Sequence, residues 1–239
     1  MTNESEAEAS PGGFSNLWGS KDRIELIATI ILAMATVLTA WSAFQAGKWS
    51  GDQSINFSQA GAFRTESTRH DTLGGQLTQI DVAMYIDWVS ALFEEVDSGR
   101  IVLTDTTAYE PTRGTVSGFL YLRFRDEFRP AVQAWLATDP LNNVEAPPTP
   151  FAMDEYVVAE RVEAERLRVA ADESALAARQ SNQNGDNYVL TMVLFASVLF
   201  FAGVSSKIYK PRNRLIVVGI GMIMLITGIV IDFSLPILV

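Results

Sequence analysis

Residues 24–72 read IELIATIILAMATVLTAWSAFQAGKWSGDQSINFSQAGAFRTESTRHDT and contain no proline. The first half, residues 24–47, is almost entirely apolar, and its 24 residues are enough to cross a bilayer as a helix. The second half is polar and follows without interruption. We therefore predict one helix that lies half inside a membrane and half outside it.

One face of this predicted helix carries only small residues, at steps of three or four positions. Small residues let two helix backbones approach closely, which is how helices associate in lipid. The members of this small-residue stripe are Thr36, Ala40, Ala43, Gly47, Ser50, Ser54, Ser58, Gly61, Thr65, Thr68 and Thr72. The sequence leaves two partners open, namely an alanine-rich face later in the same chain or a second copy of the chain.

Two further apolar segments, residues 187–207 and 215–236, are also long enough to span a bilayer. Basic residues are concentrated on one side of the spans, namely Lys21 and Arg23 before the first span and Lys207, Lys210, Arg212 and Arg214 around the turn between the last two. The opposite flanks have only Lys48 and the more distant Arg179. Cytoplasmic flanks are enriched in Lys and Arg. We therefore expect a plasma (inner) membrane protein with a cytoplasmic N-terminus, and with residues 48–186 and the C-terminus outside the cytoplasm.

The predicted fold class is an all-α membrane protein with three transmembrane helices and a four-helix-bundle-like domain between the first two. The segments are a disordered cytoplasmic tail (1–23), transmembrane helix 1 (24–47), an extracytoplasmic helical domain (48–186), transmembrane helix 2 (187–207), a basic cytoplasmic turn (208–214) and transmembrane helix 3 (215–236). The tail is polar and rich in Ser, Glu and Gly, which is typical of disorder.

Apolar periodicity predicts four helices in the outer domain. They are the continuation of the first span to about residue 70, then residues 73–96, 118–137 and 150–182. Pro130 is expected to kink or restart the third helix, because its ring removes a backbone donor. Residues 101–103 are Ile-Val-Leu and could pair as a short strand.

The composition excludes several kinds of chemistry. The chain has no cysteine, one histidine and a net charge of −10, which rules out disulfides and multi-histidine metal sites and argues against nucleic acid as a partner. The sequence contains no Gly-rich phosphate loop, no G-x-S-x-G and no H-E-x-x-H motif. We therefore predict no catalytic, cofactor-binding or metal-binding residues, no cofactor and no enzymatic activity.

Three groups of ionisable residues invite a functional interpretation beside a plainer one. Arg123, Arg125 and Arg129 could bind an anion, or could pair with neighbouring carboxylates on a solvated helix face. Asp232 lies within the third apolar segment, where ionisable residues are often functional, yet it is close enough to the end to reach the interface. His70 could sense pH, or could be an ordinary surface histidine beside Asp71.

The segments WSAFQAGKWSGDQ, AWLATDPLNNVEAPPTPFAMDEY and GDNYVLTMVLFASVLFFAGVSSK resemble those of a group of uncharacterised bacterial membrane proteins. That resemblance implies the three-span architecture and no particular activity. The order of tail, span, outer helices and span is similar to the sensor regions of chemoreceptors. A basic turn and a third span stand where those receptors have a signalling module, so the similarity implies a fold and transfers no function.

The predicted function is that of an oligomeric integral membrane protein, which acts through its outer helices as a binding, scaffolding or accessory subunit. Its expected partners are the lipid bilayer, further copies of the chain and an unidentified membrane or envelope protein. The alternative is an oligomeric channel or transporter whose pathway is lined by transmembrane helix 1. The candidates for helix packing or pore lining are Thr36, Ala40, Ala43, Gly47, Ser50, Ser54, Ser58 and Gly61.

Overall fold

The backbone is helical over most of the part of the chain described by the computed structural model, residues 20–239. Helix accounts for 76% of the structure, and no strand occurs among those residues. The predicted all-α class is confirmed, and the short strand predicted at residues 101–103 is wrong. Residues 1–19, most of the predicted cytoplasmic tail, lie outside the described range.

Five α-helices follow one another along the described chain, with a short 3-10 helix before the fourth. They are α1 Ser20–Asp97, α2 Val116–Tyr121, α3 Arg129–Ala137, the 3-10 helix Pro150–Ala152, α4 Ala159–Ser205 and α5 Pro211–Ser234. Three of these helices, α1, α4 and α5, contain segments long and apolar enough to cross a membrane.

Helix α1 has 78 residues and continues through the point where we predicted a new helix at residue 73. Gly74 and Gly75 weaken the helix next to this point, but a glycine costs a helix only about 1 kcal/mol relative to alanine. No proline interrupts the backbone hydrogen bonds there. The predicted arrangement of four separate outer helices is therefore wrong, since two of them are one helix.

The predicted helix at residues 118–137 consists of two short helices, α2 and α3, with turns between them. Phe124 and Phe128, which lie in the turns between the two helices, both enter the core of the surrounding segment. Helix α3 has Pro130 in its first turn, where the missing N–H is not needed. The expectation that Pro130 restarts a helix is confirmed.

Helix α4 begins nine residues later than predicted, because Pro150 opens only the 3-10 helix. It then runs to Ser205 as one helix, although the prediction ended the fourth outer helix at residue 182 and began transmembrane helix 2 at residue 187. The polar side chains of that stretch bond to each other at i,i+4 spacing, as in Asn182 to Asp186 and Gln183 to Asn187. Such pairs stabilise a helix, so a polar composition alone did not end this one.

The described chain divides into two compact units, whose boundaries fall within α1 and α4. We call residues 20–57 and 176–239 the terminal unit, and residues 58–175 the central unit. The terminal unit contains the apolar parts of α1, α4 and α5. Its core residues are Ala28, Ile31, Ala35, Phe195, Val198, Ala202, Val218 and Leu225.

The central unit has an aromatic core. Trp88 of α1 is fully buried and contacts Tyr109, Tyr121 and Phe124 through ring–ring pairs with centroids 5.3, 5.9 and 5.7 Å apart. Aromatic pairs at this distance add to the stabilisation from burial alone. The short helices and the loops of residues 98–158 are thus held on α1 by side-chain packing rather than by a regular bundle.

Candidate functional site

All eleven residues of the small-residue stripe are exposed. The face of α1 that packs inside the terminal unit is a different one, and its members are Ala28, Ile31, Ala35, Ser42 and Gln45. Their steps of three, four and seven residues fit a seven-residue repeat in which the partly buried Leu38 takes the remaining position, as in helices that coil around each other. Thr36 and Ala43 of the stripe each follow a packed residue, Ala35 and Ser42. A step of one residue turns a helix by about 100°, so the stripe lies to the side of the packed face.

The alanine-rich face of α4, the other partner considered for the stripe, is buried against a different part of α1. In the central unit Ala164, Leu167 and Ala171 are all buried. The Ser67 hydroxyl donates to the Ala164 carbonyl oxygen over 2.7 Å. The α4 face therefore packs on the Ser67 side of α1 and leaves the stripe open.

A groove of about 640 Å³ runs along the stripe in the terminal unit. Small, apolar and charged residues of α1 line it, together with two residues of the C-terminal tail. Its lining consists of Ala43, Phe44, Gly47, Lys48, Gly51, Asp52, Ile55, Leu238 and Val239. A groove of this kind offers room for another helix at close range.

Most hydroxyl groups of the stripe bond to the backbone of their own helix. Thr36 Oγ1 donates to the Leu32 carbonyl oxygen over 2.8 Å, and Ser54 Oγ donates to the Ser50 carbonyl oxygen over 2.9 Å. Their hydrogens are therefore already used. The surface they leave is small, uncharged and suited to close packing.

Asp232 of α5 lies in the interior of the terminal unit, with only 4% of its surface exposed. Its Oδ1 accepts hydrogen bonds from Ser42 Oγ of α1 over 2.9 Å and from Thr191 Oγ1 of α4 over 3.2 Å. Three helices thus meet at one carboxylate. The interpretation that Asp232 reaches out to an interface is wrong, because the side chain is enclosed.

The C-terminal tail is attached to the same end of the terminal unit. The Pro236 carbonyl oxygen accepts hydrogen bonds from Trp49 Nε1 over 3.1 Å and from the Tyr188 hydroxyl over 3.3 Å. The Leu238 backbone N–H donates to Gln45 Oε1 over 3.1 Å. The tail therefore crosses from α5 to both α1 and α4, one helical turn beyond Asp232.

The three candidate anion-binding arginines each have separate partners within the chain. Arg125 makes a bidentate pair with Asp81, at 3.0 and 2.9 Å. Arg129 pairs with Asp126 over 3.1 Å. Arg123 lies over the Phe119 ring, 3.4 Å from its centroid. These contacts agree with the plainer interpretation of local pairing, and anion binding stays a prediction.

Two buried carboxylates of the central unit were not singled out in the sequence. Asp81 and Glu95 lie seven residues before and after Trp88 on the same face of α1, with 1% and 3% of their surfaces exposed. Asp81 also accepts a hydrogen bond from the Tyr156 hydroxyl over 3.0 Å. The hydrogen bonds that Arg125 donates to Asp81 raise the pKa of Arg125 above its usual value, so the guanidinium is charged at neutral pH.

Glu95 holds the first turn of α2. It accepts hydrogen bonds from the backbone N–H of Val116 over 2.6 Å and from the Ser117 hydroxyl over 2.5 Å. Burial alone raises the pKa of Glu95, but the hydrogen bonds from Ser117 and Val116, with a smaller effect of Arg100, outweigh it and hold the pKa below the usual value. Glu95 therefore acts as an internal anion at the backbone donors of α2.

His70 contacts two carboxylates rather than solvent alone. Its Nδ1 bonds Glu160 of α4, and its Nε2 lies 3.5 Å from Glu66 of α1. The plain surface interpretation is therefore incomplete, because the ring joins two helices within the central unit. A pH-sensing role stays a prediction.

Comparison with protein-family models, with curated proteins and with solved structures finds no match. No relative therefore suggests a function for this chain. The suggested resemblance to bacterial three-span membrane proteins stays a prediction. Function is therefore argued from the geometry alone.

A signal for the missed residues was present in the sequence. Asp81 and Glu95 interrupt the apolar face of residues 73–96 at a spacing of fourteen residues, which is four helical turns. Charged residues are almost never buried unless paired, so a charge on an apolar face predicts a partner elsewhere in the chain. What the spacing could not identify was the partner.

Proposed function

We propose that this protein is an integral membrane protein that self-associates along the stripe of α1 and uses its central unit as a binding or scaffolding surface outside the cytoplasm. The observation that carries the proposal is the complete exposure of the small-residue stripe beside an open groove. The same helix buries its other face within the chain. A second α1 fits the open face, because small residues on both helices allow close contact.

Membrane insertion is supported by the surface of the terminal unit. Its three helices expose many large apolar side chains, which water-soluble proteins rarely collect in such numbers. Among them are Leu26, Ile30, Met34, Val37, Leu190, Val193, Phe200, Ile216, Ile223, Ile226 and Val230. Lipid is the solvent that such a surface favours.

The distribution of charge supports the proposed orientation. Arg214 at the start of α5 lies 3.7 Å from Glu25 near the start of α1, so these two helix ends lie together. The basic residues Arg23, Lys207 and Lys210 are near the same helix ends in the sequence. Under the positive-inside rule that end faces the cytoplasm.

Self-association is tested at Gly47, which lies in the stripe. A Cβ atom built at Gly47 meets nothing within 4 Å, and the same is true of Gly203 on α4. Gly47→Leu therefore adds bulk at an open position of the single chain, on the face where another chain would pack. We expect Gly47→Leu to weaken association at least about tenfold, which is about 1.4 kcal/mol, while the matched control Gly203→Leu leaves it unchanged.

The measurement is the mass of the protein in mild detergent or nanodiscs as a function of protein-to-lipid ratio. Because the chain has no cysteine, Gly47→Cys provides an independent readout and should form disulfide-linked dimers. A protein that is monomeric at all ratios, or equal effects of the two leucine substitutions, would refute association through the stripe.

The alternative function, a channel lined by α1, receives less support from the geometry. Thr36 and Ser54 have already used their hydrogens on backbone carbonyl oxygens, whereas a water-filled pathway benefits from hydroxyls that can solvate the permeating species. Ion conductance in proteoliposomes that is abolished by bulky residues at Thr36 or Ala43 would favour the channel instead.

A further inference from the structure

The enclosed carboxylate of Asp232 has an unusual set of neighbours. Both of its described hydrogen-bond donors, Ser42 and Thr191, contact Oδ1. None of the described residues donates to Oδ2 or provides a basic partner. Ionisable residues enclosed among apolar helices are rare and frequently mark proton or ion sites.

Each of the two hydroxyl groups has a second acceptor within reach. Ser42 Oγ is also 2.9 Å from the Leu38 carbonyl oxygen, and Thr191 Oγ1 is also 2.8 Å from the Tyr188 carbonyl oxygen. A hydroxyl has one hydrogen and can donate it to one of these acceptors at a time, while its oxygen can accept. The two hydroxyl hydrogens of the cluster can therefore be arranged in two ways.

In the first arrangement Asp232 is ionised, and both hydroxyls donate to its Oδ1. In the second arrangement Asp232 carries a proton, and the hydroxyls of Ser42 and Thr191 turn to their backbone carbonyls. The protonated carboxyl can then donate to a hydroxyl oxygen. Each hydroxyl hydrogen of the cluster has an acceptor in both states, so the exchange needs only rotation of two hydroxyls.

We propose that Asp232, with Ser42 and Thr191, forms a reversible proton-binding site in the terminal unit. The ligand is a proton, which is taken from water at one pH and returned to it at another, so that only the O–H bond of the carboxyl forms and breaks. The site has one residue from each of the three apolar helices. The proposal does not depend on self-association, since all its parts are in one chain.

Few charged or titratable groups surround the site. On α4 the nearest is Tyr188, whose hydroxyl donates to Pro236. On α1 the side chains facing this end are Ser42 and Gln45, and the next ionisable residues along the helix are Lys48 and Asp52. Asp52 accepts a hydrogen bond from Ser181. On α5 the only other ionisable residues are Arg212 and Arg214, in its first turn.

The proposal is tested by infrared difference spectroscopy on the full chain in nanodiscs, stepped from about pH 4 to about pH 9. We expect a carboxylic acid C=O band that appears on acidification in the natural protein and is missing in Asp232→Asn. Asp232→Glu serves as a second variant, because it retains a carboxyl group and should shift the band. It keeps the assignment testable if the Asn variant fails to fold.

Thr191→Val removes one donor to the ionised carboxylate at nearly constant side-chain volume. We expect it to move the midpoint of the band to higher pH by about one unit, a tenfold increase in proton affinity. Ser197→Ala, an exposed position on the same helix, is the matched control and should leave the midpoint unchanged.

Two results would overturn the proposal. Identical difference spectra for the natural protein and Asp232→Asn would show that Asp232 keeps one protonation state over the whole range. A midpoint that moves when sodium chloride replaces choline chloride would show that the cluster binds Na⁺ in competition with the proton, and would make it a cation site instead.

Discussion

Asp81 and Glu95, the two enclosed carboxylates of the central unit, show how single residues attach non-helical segments and short helices to the long helix α1. Asp81 binds Arg125 and Tyr156, and Glu95 binds the start of α2. Both lie on the face of α1 that also carries Trp88. A buried charge is tolerated only when paired or hydrogen-bonded, so each carboxylate specifies where one loop must dock.

Glu95→Gln should destabilise the central unit by about 2 kcal/mol, because hydrogen bonds to a charged group are worth about 1.5–3 kcal/mol. The Gln amide would also place its own N–H groups against the Val116 N–H and the Ser117 hydroxyl, which donate to Glu95 in the natural protein. The measurement is the midpoint of chemical unfolding followed by tryptophan fluorescence. Glu94→Gln, at the exposed neighbouring position, is the matched control and should have little effect.

The effect of Glu95→Gln should also depend on pH. Because the folded state holds the pKa of Glu95 below its ordinary 4.5, the ionised carboxylate stabilises the fold above that value and loses this contribution as the pH falls through the folded-state pKa. The difference between the natural protein and the variant should therefore shrink in acid. A difference that is constant with pH, or equal to that of Glu94→Gln, would contradict this account.

At the scale of the elements, α1 is one helix because its packed face continues past the two glycines. A Cβ atom built at Gly74 lies 2.7 Å from Arg161 Cγ and 3.3 Å from the Arg161 backbone nitrogen of α4, whereas one at Gly75 meets nothing within 4 Å. The first glycine therefore permits the approach of two helices in the central unit. The second has no such role.

These adjacent glycines form a matched pair for mutagenesis. Gly75→Ala should raise the free energy of unfolding by up to about 1 kcal/mol, the difference in helix propensity. Gly74→Ala gains the same propensity but should still lower stability, since overpacking costs about 1–3 kcal/mol. The midpoints of chemical unfolding provide the comparison. A stabilising effect of both substitutions would contradict the close approach at Gly74.

At the scale of the whole molecule, the proposed orientation in a membrane rests on the basic helix ends of the terminal unit. Single cysteines at Val144 and Asn213 can test it in a chain that has none of its own. Val144 is 99% exposed, and Asn213 is exposed in the first turn of α5. Both positions therefore suit an impermeant label.

In intact cells we expect a membrane-impermeant maleimide to modify Val144→Cys but not Asn213→Cys. After permeabilisation both should react, because only the barrier has changed. Labelling of Asn213→Cys alone in intact cells would show that the orientation is the reverse of the proposed one. Labelling of both variants in intact cells would refute a cytoplasmic turn between α4 and α5.

Local pattern was sufficient for the helical class, the three apolar helices and the restart of α3 at Pro130. It failed where a long-range contact overrode a local signal. The prediction began a new helix at residue 73 and ended one at residue 182, yet α1 and α4, which pack on neighbouring helices, continue through both points. Helix boundaries depend on such contacts more than on propensity.

The amino-acid sequence by itself determined which segments of this protein are apolar helices and that one face of α1 consists of small residues, because both properties are periodic along the chain. The tertiary structure alone decided which face of α1 is used within the chain and which carboxylates are enclosed. Ser42, Thr191 and Asp232 are far apart in sequence and share no motif. Only the meeting of three helices made them one cluster, since hydrogen bonds depend on distance in space and not on separation along the chain.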